Sequence, residues 1–96
     1  MRKRFKVIFS PPAQREIEEF ETDVAIQLAK DIKSYLETSP LPFGKSRVKK
    51  ISGYHPPLYR LRSGAFRAYY RTLSGNVIIL AITHKKDSEK LLKKLL

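Results

Sequence analysis

Leu58-Tyr59-Arg60-Leu61-Arg62-Ser63-Gly64-Ala65-Phe66-Arg67-Ala68-Tyr69-Tyr70-Arg71 is the stretch that decides the fold of this 96-residue chain. Apolar or aromatic residues alternate with arginines on either side of Ser63-Gly64. A period of two marks a strand with one buried face, and a Gly-containing pair between two such runs marks a hairpin. Strands over residues 58–62 and 66–72 follow. Tyr59 and Leu61 share one face with Phe66, Ala68 and Tyr70. Arg60 and Arg62 share the other with Arg67, Tyr69 and Arg71. The first set seeks a core, so the second is expected to stand on an open face.

Downstream, Ser74-Gly75-Asn76 makes a second turn and residues 77–83 a third strand, which completes an antiparallel meander. Residues 87–96 read as a short basic helix capped by Asp87 or Ser88, with Leu91, Leu92, Leu95 and Leu96 on one side. Upstream, residues 45–57 read as a basic connection carrying Lys45, Arg47, Lys49 and Lys50. At the start, Phe5-Lys6-Val7-Ile8-Phe9 forms a short strand. Ser10 then caps a helix over residues 11–20, with Pro11-Pro12 in the first turn, where a missing N–H is tolerated. Its apolar face holds Ala13, Ile17 and Phe20.

A second helix opens at Glu21 or Thr22 and runs to about Leu36. Ala25, Leu28, Ala29, Ile32 and Leu36 make its apolar stripe. One or two residues between the helices dictate an antiparallel helical hairpin. Ser39-Pro40-Leu41-Pro42-Phe43-Gly44 ends it. The expectation is one α+β domain over residues 1–96, of order β-α-α-β-β-β. The helical hairpin packs on one face of a four-stranded, mainly antiparallel sheet, a short C-terminal helix follows, and the other sheet face stays uncovered.

The formal charge is +11, and its placement matters more than its size. Residues 1–40 hold seven basic and seven acidic groups; residues 41–96 hold thirteen basic groups against Asp87 and Glu89, so the whole excess lies there. No acid occurs between residues 38 and 86 to neutralise the arginine face. Such segregation attracts polyanions, and arginine forks match phosphate oxygens. The chain has no cysteine, which removes disulfides, zinc–thiolate sites and thiol nucleophiles. Its two histidines lie far apart, its acids show no ligand spacing, and its glycines form no phosphate loop, so neither metal nor cofactor is expected. No apolar run is long enough for a membrane span. Met1-Arg2-Lys3-Arg4 is basic, yet the apolar run after it is too short for a secretion signal; a cytoplasmic protein is expected.

The 58–71 stretch resembles the central strand pair of the RelE/ParE superfamily of bacterial and archaeal toxins. Thr83-His84-Lys85-Lys86-Asp87 is similar to the end of that family's last strand, and Lys49-Lys50-Ile51-Ser52-Gly53 to its Lys-Leu-x-Gly segment. The resemblance implies a microRNase-like fold and, for RelE-type members, cleavage of messenger RNA in the A site of the small ribosomal subunit. It also implies a cognate antitoxin that wraps the toxin and often displaces its C-terminal helix. ParE-type members instead inhibit DNA gyrase.

On this resemblance Arg67 matches the arginine that contacts the scissile phosphate. Arg60 falls at a basic catalytic position, Arg62 at its neighbour, and Lys85 where a catalytic arginine is usual. Active members commonly carry a tyrosine shortly afterwards; Ser88, Glu89, Lys90 and Leu91 stand there instead. Metal-free cleavage by the ribose 2′-OH needs a base, charge stabilisation and an acid. A neighbouring positive charge disfavours the charged form of a histidine or lysine, which makes His84, Lys85, Lys49 and Lys50 the base candidates. Lys49, Lys50, Arg62, Arg71 and Lys86 are expected to bind RNA and Tyr69 to stack on a base. A gyrase inhibitor and a non-catalytic RNA binder of the same fold are the alternatives.

Overall fold

A computed structural model describes residues 4–95; the basic Met1-Arg2-Lys3 start and Leu96 lie outside the described residues. The order is β1 (Lys6–Phe9), α1 (Pro11–Glu18), α2 (Thr22–Thr38), β2 (Val48–Ile51), β3 (Leu58–Ser63), β4 (Phe66–Leu73), β5 (Asn76–His84), a 3-10 turn (Lys85–Asp87) and α3 (Ser88–Leu95). The sheet has five strands in the order β1-β5-β4-β3-β2, with β1 parallel to β5 and every other pair antiparallel. The fifth strand is β2, cut from the connection expected to be irregular. Val48 and Ile51 sit at its ends with Lys49 and Lys50 between them, so it lacks the alternation that announces a strand. Pairing with β3 supplies what the pattern does not.

The start of the first helix follows local rules. Ser10 stands in extended backbone and its Oγ accepts from the Ala13 N–H at 3.3 Å, with the prolines in the first turn. The first helix ends at Glu18, slightly earlier than expected. Ser74 and Gly75, at φ +48° and +81°, close the β4–β5 hairpin. Two consecutive left-handed residues match the twist of the flanking strands.

Leu61, Ala68 and Tyr70 face the helical hairpin and meet Ala13, Ile17, Leu28, Ile32 and Leu36, with Val48, Val77, Ile79 and Ile82. Phe20 packs against Phe66 at 4.9 Å between ring centres, and Tyr59 stacks on Tyr70 at 5.6 Å. The buried Tyr70 hydroxyl donates to the Pro40 carbonyl at 2.6 Å, which fastens the loop after α2. Burial raises the Tyr70 phenol far above its ordinary value, with Tyr59 and Tyr35 adding to it.

One polar clip ties α2 to the sheet. The Arg47 guanidinium bonds both carboxylate oxygens of Asp31 and lies over the Tyr35 ring at 4.6 Å. Arg47 Nε also donates to the Arg62 carbonyl at 2.9 Å, and Ser63 Oγ donates to Asp31. Arg47 thus leaves the pool of free cations. Hydrogen bonding from Arg47 holds the Asp31 carboxyl below its usual 3.8; partial burial opposes this, and Ser63 adds to the lowering.

A depressed carboxyl stabilises the fold above its unfolded pKa and loses that contribution as pH falls through the folded value. Asp31→Asn is therefore expected to destabilise the protein at neutral pH by about 1 kcal/mol, since the pair is partly exposed. The gap should narrow as pH drops below 3.8 and close beneath the folded pKa. Thermal denaturation of both proteins across pH checks this.

Candidate nucleic-acid interface

Strand register fixes what the opposite sheet face presents. Arg60 on β3 stands across from Lys49 on β2 and Tyr69 on β4, and Tyr69 across from Ala81 on β5. Two residues further along, Arg62 stands across from Arg67, and Arg67 across from Thr83. Directly opposed side chains begin only about 5 Å apart, so two rows of neighbouring cations result. The ion pairs among the described residues are Arg4–Glu37 and Arg47–Asp31; Arg60, Arg62, Arg67 and Arg71 have no carboxylate partner.

Arg67 is the most constrained of these groups. Its Nη1 donates to the carbonyls of Gly64, at 3.0 Å, and Phe66, at 2.9 Å. Burial lowers the guanidinium pKa from its ordinary value, and the charges of Arg60 and Arg62 lower it further. It stays protonated, as arginine does in proteins. A cation that is half-buried and crowded by like charges has most to gain from an anion. Arg62 and Lys49 are exposed, and Arg60 and Arg71 are half-buried.

The other expected residues divide. The Lys85 N–H donates to the Ala65 carbonyl at 2.8 Å, which brings exposed Lys85 to the turn that Arg67 grips. Lys86 follows in the same 3-10 turn, also exposed. His84 does not join the arginines. It pairs with Phe66 across the ladder, on the helical-hairpin side, and its ring meets the Phe66 edge at 5.7 Å. Its Nδ1 accepts from the Lys86 N–H at 3.2 Å. Lys50 is exposed, but its cross-strand partner is Tyr59, so it too belongs to the helical side.

Two expectations need correction. The second face is not bare, and Tyr69 is not available to stack on a base in this conformation. Tyr69 is 0% exposed, and Leu58 and Ala81 are buried with it outside the main core. The cover is α3, which packs on β5 with Leu91 and Leu92 half-buried. Tyr54, in the loop before β3, reaches the same helix: its hydroxyl donates to the Leu92 carbonyl at 3.1 Å. The leucines of the basic C-terminal segment signalled that it docks, but nothing in the spacing said where. Tyr54 carried no signal beyond being a tyrosine in a turn-rich loop.

Among the described residues no group of three His, Cys, Asp or Glu side chains is placed to share a metal ion, and no helix is long and apolar enough to cross a membrane.

A family model described as the ParE toxin of the type II toxin–antitoxin system parDE matches residues 7–89. The chain belongs to the ParE toxin family. Its fold is that of the RelE toxins. It is similar to a chain of the RelBE2 toxin–antitoxin complex from Mycobacterium tuberculosis, with 21% identity over 88% of this chain and 94% of that one and a TM-score of 0.69. The archaeal RelE–RelB complex from Pyrococcus horikoshii OT3 matches with 21% identity over 85% and 96% of the two chains, TM-score 0.68. A mutant of E. coli RelE in the free state matches with 23% identity over 97% and 99%, TM-score 0.60. No curated protein matches in sequence.

In this toxin the facing pair Arg62 and Arg67 opposes folding. Arg62→Gln is expected to raise stability by about a few tenths of a kcal/mol. The gain should shrink with added salt, because exposed charges are screened. Denaturation at low and high ionic strength reads both effects.

Proposed function

We propose that this toxin acts on RNA, as a metal-independent endoribonuclease that cuts messenger RNA in the A site of the small ribosomal subunit and so arrests translation. The observation that carries this reading is the pair of cation rows, Lys49–Arg60 and Arg62–Arg67, on one sheet face, none of them ion-paired with a carboxylate among the described residues. An RNA backbone offers the matching row of charges, and release of its counterions drives binding.

In the proposed reaction the ribose 2′-oxygen attacks the adjacent phosphorus and the bond to the 5′-oxygen breaks. Arg67 stabilises the charge that builds on the phosphorane, with Arg60 and Arg62 beside it. In this reading Lys85, next to the turn that Arg67 grips, and Lys49, across from Arg60, take and return the proton. His84 lies on the far side of the sheet and has no part in this scheme. The partner that restrains the toxin is a cognate antitoxin; the similar M. tuberculosis and P. horikoshii structures are toxin–antitoxin complexes. Its place of action is the cytoplasm, where ribosomes are.

A second reading is inhibition of DNA gyrase. It is favoured by the match to the ParE toxin description and by the lack, among the described residues, of an exposed tyrosine or histidine beside Arg67.

Induced expression separates the two. Rapid loss of protein synthesis with cleaved transcripts supports the nuclease, while filamentation and DNA damage with intact transcripts support gyrase inhibition. For the nuclease, Arg67→Ala is expected to slow cleavage in a reconstituted translation assay by about 100-fold or more. His84→Ala should leave the cleavage rate within about twofold of the parent. Its ring does not face the site, and the larger loss that follows removal of a general acid or base is suffered only when that group reaches the reacting atoms.

A further inference from the structure

Among the described residues the sheet has open edge on β2, on β5 beyond the end of β1, and on β1. Open strand edges invite pairing with another chain, and proteins blunt them. On β2 the Ser46 hydroxyl accepts from the Val48 N–H at 3.2 Å and donates to the Val48 carbonyl at 3.0 Å, and Lys49 and Lys50 follow. On β5 the Glu16 carboxylate takes the Ile82 N–H, and Ser10 Oγ donates to the Leu80 carbonyl at 3.4 Å.

The β1 edge carries no such side-chain plug among the described residues. The N–H groups of Lys6 and Ser10 donate inward, to the carbonyls of Gly75 at 3.1 Å and Ile79 at 3.0 Å. Alternation then turns the N–H and C=O groups of Val7 and Phe9 outward. Val7 and Phe9 pack their side chains on the main core, while Ile8 between them points to the other face and is 36% exposed. An apolar groove continues this surface beside Phe9. Ile17, Ala25, Ile26 and Ala29 line it, Glu18 stands on its wall, and Ile26 is 47% exposed.

Charge selects the occupant. Residues 1–40 hold seven basic and seven acidic groups, so this edge belongs to the half of the chain with no net charge. It also lies at the opposite end of the sheet from β2. Strands stand about 4.8 Å apart, so β4 and the β4 of a copy paired at this edge are about 24 Å apart. That exceeds the screening length of about 8 Å at physiological salt, and the arginine rows do not oppose the contact.

We infer that β1 is the docking edge for a second copy of this chain, the two β1 strands pairing antiparallel about a two-fold axis at Ile8. The outward groups fix this register. Val7 of each copy exchanges both backbone bonds with Phe9 of the other, and Ile8 meets its own copy in the close, non-hydrogen-bonded position. On the helical side, Val7 of one copy comes to the mouth of the groove beside Phe9 of the other. The basic start of one strand, Arg4 and Lys6, approaches the end of the other, where α1 and Glu18 follow. The two sheets join with both helical hairpins on one side and both cation faces on the other. The pairing holds whatever the cation rows bind.

The experiment uses the full chain, which has no cysteine of its own. Sedimentation over a concentration series should show a monomer–dimer equilibrium. Ile8→Lys sets two ammonium groups face to face on the axis and removes an apolar contact, so it is expected to raise the dimer dissociation constant about tenfold or more. Phe43→Ser alters an apolar residue that is 89% exposed in the loop after α2, and should leave the constant within about twofold. Mild oxidation of Ile8→Cys should link two chains, because the axial Cα atoms start only about 4.5 Å apart. Val7→Cys, which faces Phe9 of the copy, should not link.

A monomer at every concentration overturns the proposal. So does a dimer of Ile8→Lys as tight as the parent's, or oxidation that links Val7→Cys as readily as Ile8→Cys. If Ile8→Lys fails to fold, the two cysteine variants decide by themselves.

Discussion

Leu61 opposite Ala68 and Arg62 opposite Arg67 are adjacent positions of one antiparallel ladder, and the molecule is organised by that single-residue step. Side chains on a strand alternate, so a slip of one position would carry every arginine into the core and every apolar group into water. The apolar half of the ladder is what α1 and α2 pack against. The charged half has no choice but to turn the other way. The tyrosines follow the same rule: Tyr70 enters the main core and finds the Pro40 carbonyl, while its neighbour Tyr69 points to the arginine side.

Charge separation follows from this division of faces. The acids between residues 16 and 23 lie on α1, the start of α2 and the corner between them. They cannot reach across the sheet to the arginines. Asp31 is the exception that lies close to β2, and it spends its charge on Arg47. Glu16 is also engaged locally, its Oε1 accepting from the Ile82 N–H at 2.9 Å. The sheet face thus keeps its field intact. Opposed like charges there reduce stability, and a face that retains them trades stability for an anion's attraction.

The C-terminal helix modifies that face without neutralising it. It shields Tyr69 and leaves Arg62 and Lys49 in solvent, so the charged rows remain approachable while the aromatic floor is covered. α3 is cationic like the sheet face, and its described contacts include β5 and the hydroxyl of Tyr54.

The central hairpin, the third meander strand, the helical pair and the segregated charge were all readable in the chain, because each is written in a period of two, a period of 3.6 or a turn residue. The membership of Arg60, Arg62 and Arg67 on one face came from the same alternation. Other features depended on partners distant in sequence. β2 has no alternating pattern of its own and becomes a strand through its bonds to β3. His84 lies one residue past Thr83, and that step alone takes it to the helical side; residue type made it a candidate, and register removed it. Tyr69 was placed on the right face by alternation and then buried by a helix that begins only at Ser88. Periodicity reports which way a side chain points. What comes to lie on top of it is set by packing between elements, and only the tertiary structure holds that.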